Sequence, residues 1–259
     1  RYLYEGDLTV YAHWKSTEPE YTITFNPNGG TGEMDPIIVK YHDRITLPLN
    51  KFTRTGYSFD EWTLNDTNAY SDGDPFYMTY KKDITLDAQW IPNQDTLYTV
   101  NHYLKDLGSA TYTLRETEEK KGTTDARIIL ANEKKDYTGF TYEKGQVDGA
   151  DATETTVLPD GSRVINLYYN RNTYTLTIDK GDGIDSVSGA GSYEYGETVT
   201  IDAIVSEDYT WNSWTGTNNT EQKNYTFTMP AEDVHETANA TRNKPVDYFI
   251  SYDLNGGTL

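Results

Sequence analysis

Residues 21–31 read YTITFNPNGGT, and the expected fold follows from that stretch. Tyr21, Ile23 and Phe25 alternate with Thr22 and Thr24, which gives a short strand one apolar and one polar face. Asn28-Gly29-Gly30 then calls for a tight turn, because glycine reaches positive φ at little cost. The same text returns at 248–258 as YFISYDLNGGT, 227 residues later, and a looser copy, YTLTIDKGDG, stands at 174–183. A repeated strand-plus-turn signature implies repeated modules.

A second pair of matching stretches marks where a module closes. DITLDAQW at 83–90 puts Ile84, Leu86, Ala88 and Trp90 on one strand face, and DLTVYAHW at 7–14 does the same with Leu8, Val10, Ala12 and Trp14. Residues 1–18 therefore read as the closing strand of a preceding repeat plus a linker, and 247–259 as the opening strand of a following one. Between them lie three modules, at 19–91, 96–172 and 173–242, with short linkers at 15–20, 92–97 and 243–247 and almost none between the second module and the third. The expected fold is mainly β with little helix, a tandem of small modules in an extended rod. Since a lone strand seeks an edge, the two split ends are expected either to pair head to tail with other copies of the chain or to fold back onto their adjacent modules.

Within the first module, Tyr57 and Phe59 share a face that Trp62 completes, and the polar run Asn65 to Asp74 reads as a surface loop. In the second, a strand at Tyr112 to Arg115 is expected to give way to a charged turn over Glu116 to Gly122. Residues 126–134 fit either a strand or one short helix. The third module maps onto the first. Tyr193-Glu194-Tyr195 falls on Val39-Lys40-Tyr41, and Tyr209, Trp211 and Trp214 fall on Tyr57, Phe59 and Trp62. Its last strand, near Val234 to Ala240, is blurred by His235 and Glu236.

Composition explains how such small modules hold together. A module of about 70 residues hides only about 60% of its unfolded surface, so its core residues must be large. The 23 Tyr, 7 Phe and 5 Trp supply them. Trp14, Tyr57, Phe59, Trp62, Trp90, Tyr209, Trp211 and Trp214 are the expected core anchors. With no cysteine, a disulfide framework and thiolate chemistry are excluded. A net charge of −19 argues against nucleic acid and against an anionic membrane surface. No apolar run is long enough for membrane insertion.

Three motifs of the first module, Y-T-I-T-F-x-x-N-G-G-T at 21–31, G-Y-S-F-D-E-W at 56–62 and I-T-L-D-A-Q-W at 84–90, resemble an internalin-type B-repeat. Residues 173–242 resemble a divergent copy that has lost the closing Ala-x-Trp. Residues 96–172 are similar to the mucin-binding-protein type of repeat, through Y-T-V-N-H-Y, Y-T-G-F and L-P-D-G-S-R-V-I-N-L-Y-Y-N-R-N. The resemblance implies β-grasp-like extracellular modules on the surface of a bacterium, attached to a Gram-positive cell wall. It implies first and last strands that lie side by side and parallel, no catalytic residues and no cofactor. A non-catalytic stalk that presents a distal binding region is the function it implies. The alternative is an adhesin, in which residues 96–172 bind mucin-type or other host glycans or surface proteins.

The residue chemistry adds little to that. His13, His42, His102 and His235 lack metal-site spacing, and no nucleophile, zinc or phosphate motif occurs. Asp179, Asp182 and Asp185, beside Gly181 and Gly183, form the one calcium candidate, which also reads as a solvated acidic turn. Residues 173–242 carry 12 acidic and 3 basic groups and are the most acidic module. Tyr142, Tyr168 and Tyr169 are the candidates for stacking on a sugar, although the first reading of such residues is as cross-strand pairs that support a sheet.

Overall fold

A computed structural model describes residues 9, 11, 17–65, 67–245, 253 and 255. Among them the chain is nearly all β, with several small sheets and one 3-10 turn, Leu130–Glu133. It divides into two compact units. Unit 1 comprises Arg1–Tyr98, Lys120–Arg127 and Thr156–Arg163, and unit 2 comprises Thr99–Glu119, Ile128–Thr155 and Val164–Leu259. Trp14 and the strands expected at 7–14 and 248–252 lie outside the described residues, save Thr9 and Tyr11, which are exposed.

In unit 1, β1 (Glu20–Asn26) runs parallel to β7 (Ile84–Pro92), with Ile23 opposite Ile84 and Phe25 opposite Leu86. β2 (Ile37–Lys40) flanks β1, while β4 (Tyr57–Leu64) and β5 (Asn68–Tyr70) continue the sheet beyond β7 in the order β2-β1-β7-β4-β5. β3 (Arg44–Thr46) pairs with β6 (Pro75–Tyr77) as a separate ribbon. The core gathers Ile23, Leu47, Trp62, Phe76, Met78 and Leu86, all at 2% exposure or less. After β1 the chain reverses at Pro27–Gly30, where Asn28 (φ 45°) and Gly29 (φ 86°) both take the left-handed region of a type I′ turn. Gly30 must be glycine for another reason: a Cβ there would lie 2.6 Å from the Trp90 ring, whose Nε1 donates to the Pro27 carbonyl at 2.9 Å. The opening turn and the closing tryptophan of this repeat are thus one structure.

In unit 2 the same plan appears twice. β8 (Thr96–Lys105) is parallel to β14 (Val164–Arg171) in a sheet ordered β12-β11-β14-β8-β9, with β9 (Tyr112–Gly122), β11 (Phe140–Val147) and β12 (Ala150–Ala152). β10 (Arg127–Ile129) and β13 (Glu154–Thr156) make a small ribbon. β15 (Thr173–Lys180) is parallel to β21 (Val234–Arg242), between β17 (Gly191–Glu194) and β19 (Tyr209–Gly216). β16 (Ile184–Ser188), β18 (Thr198–Val205) and β20 (Tyr225–Thr228) form the second sheet around the core of Leu176, Ile201, Trp214 and Met229. The parallel first-and-last pairing implied by the family resemblance therefore recurs three times.

Several local expectations change. The polar run after Asn65 is not all loop, because Asn65 (φ 55°) turns the chain back and residues 68–70 pair with residues 62–64. The charged run Glu116 to Gly122 continues β9 instead of turning. β9 is a sheet edge, where charged side chains reach water and discourage pairing with other chains. Residues 126–134 resolve into a short strand followed by the 3-10 turn. β21 is a full nine-residue strand although Glu236 is wholly buried, because Asn218 supplies its backbone N–H (2.7 Å) and side-chain amide (2.9 Å) to one carboxylate oxygen. The other oxygen has no partner among the described residues.

Candidate functional site

Trp62 and Trp214 are fully buried, and Phe59, Trp90 and Trp211 pack half-buried against the same cores. Tyr57 and Tyr209 do not join them. Each opens a strand, where its ring packs on a neighbouring feature instead: Tyr57 under the Arg54 guanidinium at 3.9 Å, Tyr209 against Gly183. The Tyr57 hydroxyl hydrogen-bonds to the Asp125 carboxylate.

That last contact belongs to a joint. Arg54–Tyr57 is a turn with Gly56 at φ 77°, and the Gly56 carbonyl accepts the Asn93 backbone N–H at 2.9 Å and the Thr124 hydroxyl at 2.8 Å. Ser58 donates to Asn93 Oδ1 at 2.7 Å, and the Asn93 carbonyl accepts the Thr124 backbone N–H at 2.9 Å. A Cβ on Gly56 would lie 2.7 Å from Pro159, so only glycine admits that approach.

Unit 2 contains the same construction in other residues. Gly139 (φ 78°) accepts the Asn172 N–H at 2.9 Å, Thr141 donates to Asn172 Oδ1 at 2.8 Å, and the Asn172 carbonyl accepts the Tyr195 N–H at 2.9 Å. Arg171 donates to the Tyr195 carbonyl at 2.7 Å and lies 4.7 Å over the Phe140 ring. A Cβ on Gly139 would stand 2.1 Å from the Tyr195 ring. Sequence reasoning missed both joints. The one signal was an asparagine three places after each closing aromatic, at Trp90/Asn93 and Tyr169/Asn172.

The sugar-stacking candidates part company. Tyr169 is 1% exposed and cannot meet a ligand, since its hydroxyl bonds His102 Nδ1 at 2.9 Å and takes the Lys135 N–H at 3.0 Å. Tyr168 lies half-buried on the other sheet face, stacked on Tyr103 at 5.1 Å with Tyr112 edge-on at 5.2 Å. The Tyr112 hydroxyl is pushed up to about 12 by burial first, then by its hydrogen bond to Glu143. Tyr142 lines an open cleft of about 570 Å³ with Lys144 and Asp151.

Behind that sheet, His102 is wholly buried, its Nε2 3.2 Å from Glu118. Lys135 bridges Glu118 (2.5 Å) and Glu116 (3.0 Å), and Tyr137 hydrogen-bonds Glu116. Burial lowers the His102 pKa more than Glu118 and Glu116 raise it. The unfolded chain therefore takes up this proton at higher pH than the folded one, and stability falls as pH drops below about 6.5. A midpoint that declines between pH 6.5 and 5, above the carboxylate range, is expected, and His102→Gln should flatten it. An equal decline in that variant would rule His102 out.

The calcium candidate does not assemble. Among the described residues no three His, Asp or Glu side chains group closely enough to hold a metal. Asp179 instead pairs with His235 at 3.0 Å, and Asp185 accepts the Ser206 hydroxyl at 2.5 Å.

With this geometry in place, residues 21–89 match the Listeria-Bacteroides repeat domain and residues 174–244 the divergent InlB B-repeat domain. The chain carries two B-repeat-type domains. Neither match covers residues 96–172. B-repeat-type domains are typical of the repeat regions of bacterial surface proteins and are generally non-catalytic. No curated protein matches the chain. Among solved structures it is similar to the Bacillus anthracis TIE protein, with a TM-score of 0.33 and 9% identity. The match covers 86% of this chain and 51% of that one, so the chain spans about half the length of that structure. Among the described residues no helix is long and apolar enough to cross a membrane.

Proposed function

We propose that this chain is a non-catalytic spacer from the repeat region of an extracellular protein on a Gram-positive cell wall, holding a distal binding region away from the surface. The observation that carries the reading is the parallel pairing of first and last strands in each of three repeats, at 19–91, 96–172 and 173–242. Parallel neighbours enter a sheet at one end and leave it at the other, so each repeat carries the chain from one end of its own sheet to the other. Nine residues, as in β7, span about 30 Å at about 3.3 Å each. An antiparallel closure would return the chain to its starting end and add no reach.

The adhesin alternative keeps one specific support, the Tyr103–Tyr168–Tyr112 cluster with Lys144 on one face of the middle sheet. A glycan array probed with the full chain separates the two. The spacer reading expects no reproducible binding. Binding to a mucin-type glycan that disappears in Tyr168→Ala would replace it with the adhesin.

A further inference from the structure

The joints at Asn93 and Asn172 are built from matching atoms on both sides. Upstream stand a Gly-aromatic turn, Gly56-Tyr57 or Gly139-Phe140, and the asparagine whose carbonyl faces the next repeat. Downstream stands the second residue of a turn, Thr124 or Tyr195, whose amide takes that carbonyl at 2.9 Å. The residue after it, Asp125 or Gly196, donates to the Val157 or Met229 carbonyl, each at 2.9 Å. In the first repeat His42 donates to Met78 in the same way at 2.8 Å, which puts Tyr41 where Thr124 and Tyr195 stand. The neighbouring turn bond agrees: Lys40 N–H to Asp43 at 2.6 Å matches Glu194 N–H to Glu197 at 2.9 Å. Among the described residues, however, no acceptor meets the Tyr41 amide. Its ring is half-exposed, beside His42 at 3.8 Å and under Lys81 at 4.7 Å.

We propose that the Tyr41–Asp43 turn is a docking surface for another repeat of this class. That repeat would seat its Gly-aromatic turn on Tyr41 and give the Tyr41 amide the backbone carbonyl of the residue that directly follows its closing strand, as Asn93 follows β7 and Asn172 follows β14. The occupant is a repeat joined ahead of residue 19, not a second copy of this chain. Both Gly-aromatic turns here are already covered, Gly56 by Pro159 and Gly139 by Tyr195. The third repeat makes the same upstream bonds, Asn243 N–H to the Asp208 carbonyl at 2.7 Å and the Thr210 hydroxyl to Asn243 Oδ1 at 2.6 Å, but it carries Asp208 where the other two turns have a positive-φ glycine and so lacks the close approach that Gly56 and Gly139 allow. The proposal goes beyond the spacer reading and holds whether or not that reading does.

The test is amide hydrogen exchange in the full chain and in an extended chain with residues 19–95 duplicated ahead of Glu20. Exchange at Tyr41 of the original repeat should slow at least tenfold in the extended chain, towards the rate at Tyr195. Gly56→Ala within the duplicate should return it to the parental rate and leave Tyr195 unchanged. Unaltered exchange at Tyr41, with Ile23 of the duplicate protected, would overturn the proposal. The parent chain provides a second measurement. Gly139→Ala should speed Tyr195 exchange at least tenfold while Leu176 in β15 stays protected. If Tyr195 exchange does not change, the glycine turn is not what holds that amide, and the proposal fails.

Discussion

Replacing Trp62 with alanine is expected to destabilise unit 1 by about 3–5 kcal/mol, out of the about 5–15 kcal/mol that a domain holds. Trp62 has no exposed surface and packs on Phe25 and Phe59, each at 5.0 Å between ring centres, with Phe52 at 6.0 Å. Its Nε1 also donates to Asp72 at 3.1 Å, so truncation leaves a cavity and removes the partner of an acidic loop. The sequence suggests that the first repeat would melt alone. The joint changes that expectation, because residues 120–127 and 156–163 belong to the same unit as Trp62. Urea denaturation followed by amide exchange should show Thr124 losing protection together with Ile23. A midpoint close to that of the parent chain would remove Trp62 from the list of core anchors.

The parts of the fold legible in the sequence were those written in periodicity. Alternation located β1, β7 and β15, and the recurring aromatic segments located Trp62 and Trp214. Periodicity failed where charge and burial diverge. β9 looked like a turn because an edge strand tolerates Glu and Lys throughout, and β21 looked weak because Glu236 takes the place that Leu86 fills in the first repeat. Tyr168 and Tyr169 looked alike as ligand platforms, yet adjacent strand residues face opposite ways, and only Tyr168 faces outward. The joints were hidden for a different reason. They rest on backbone N–H and carbonyl groups about 30 residues apart, which every residue carries, so residue type marks them only through Gly56, Gly139 and the two asparagines.

The second large effect is expected at Gly139, where two costs can be measured separately. Alanine at φ 78° is strained by about 1–2 kcal/mol wherever it occurs. Gly149 provides the reference, since its φ is 80° and a Cβ there would meet nothing within 4 Å. Gly149→Ala should therefore cost only the backbone strain. Gly139→Ala should cost a further ~1–3 kcal/mol, because its Cβ would enter the Tyr195 ring and push it off Phe140, with which it makes an edge contact at 5.9 Å. Tyr195→Ala removes the obstruction, so combining it with Gly139→Ala should cost less than the two single changes added together. The difference should fall within the ~0.5–3 kcal/mol of contacting residues. Additivity to within about 0.5 kcal/mol would mean that Gly139 serves only its own turn, and that the third repeat is not held by packing at this joint.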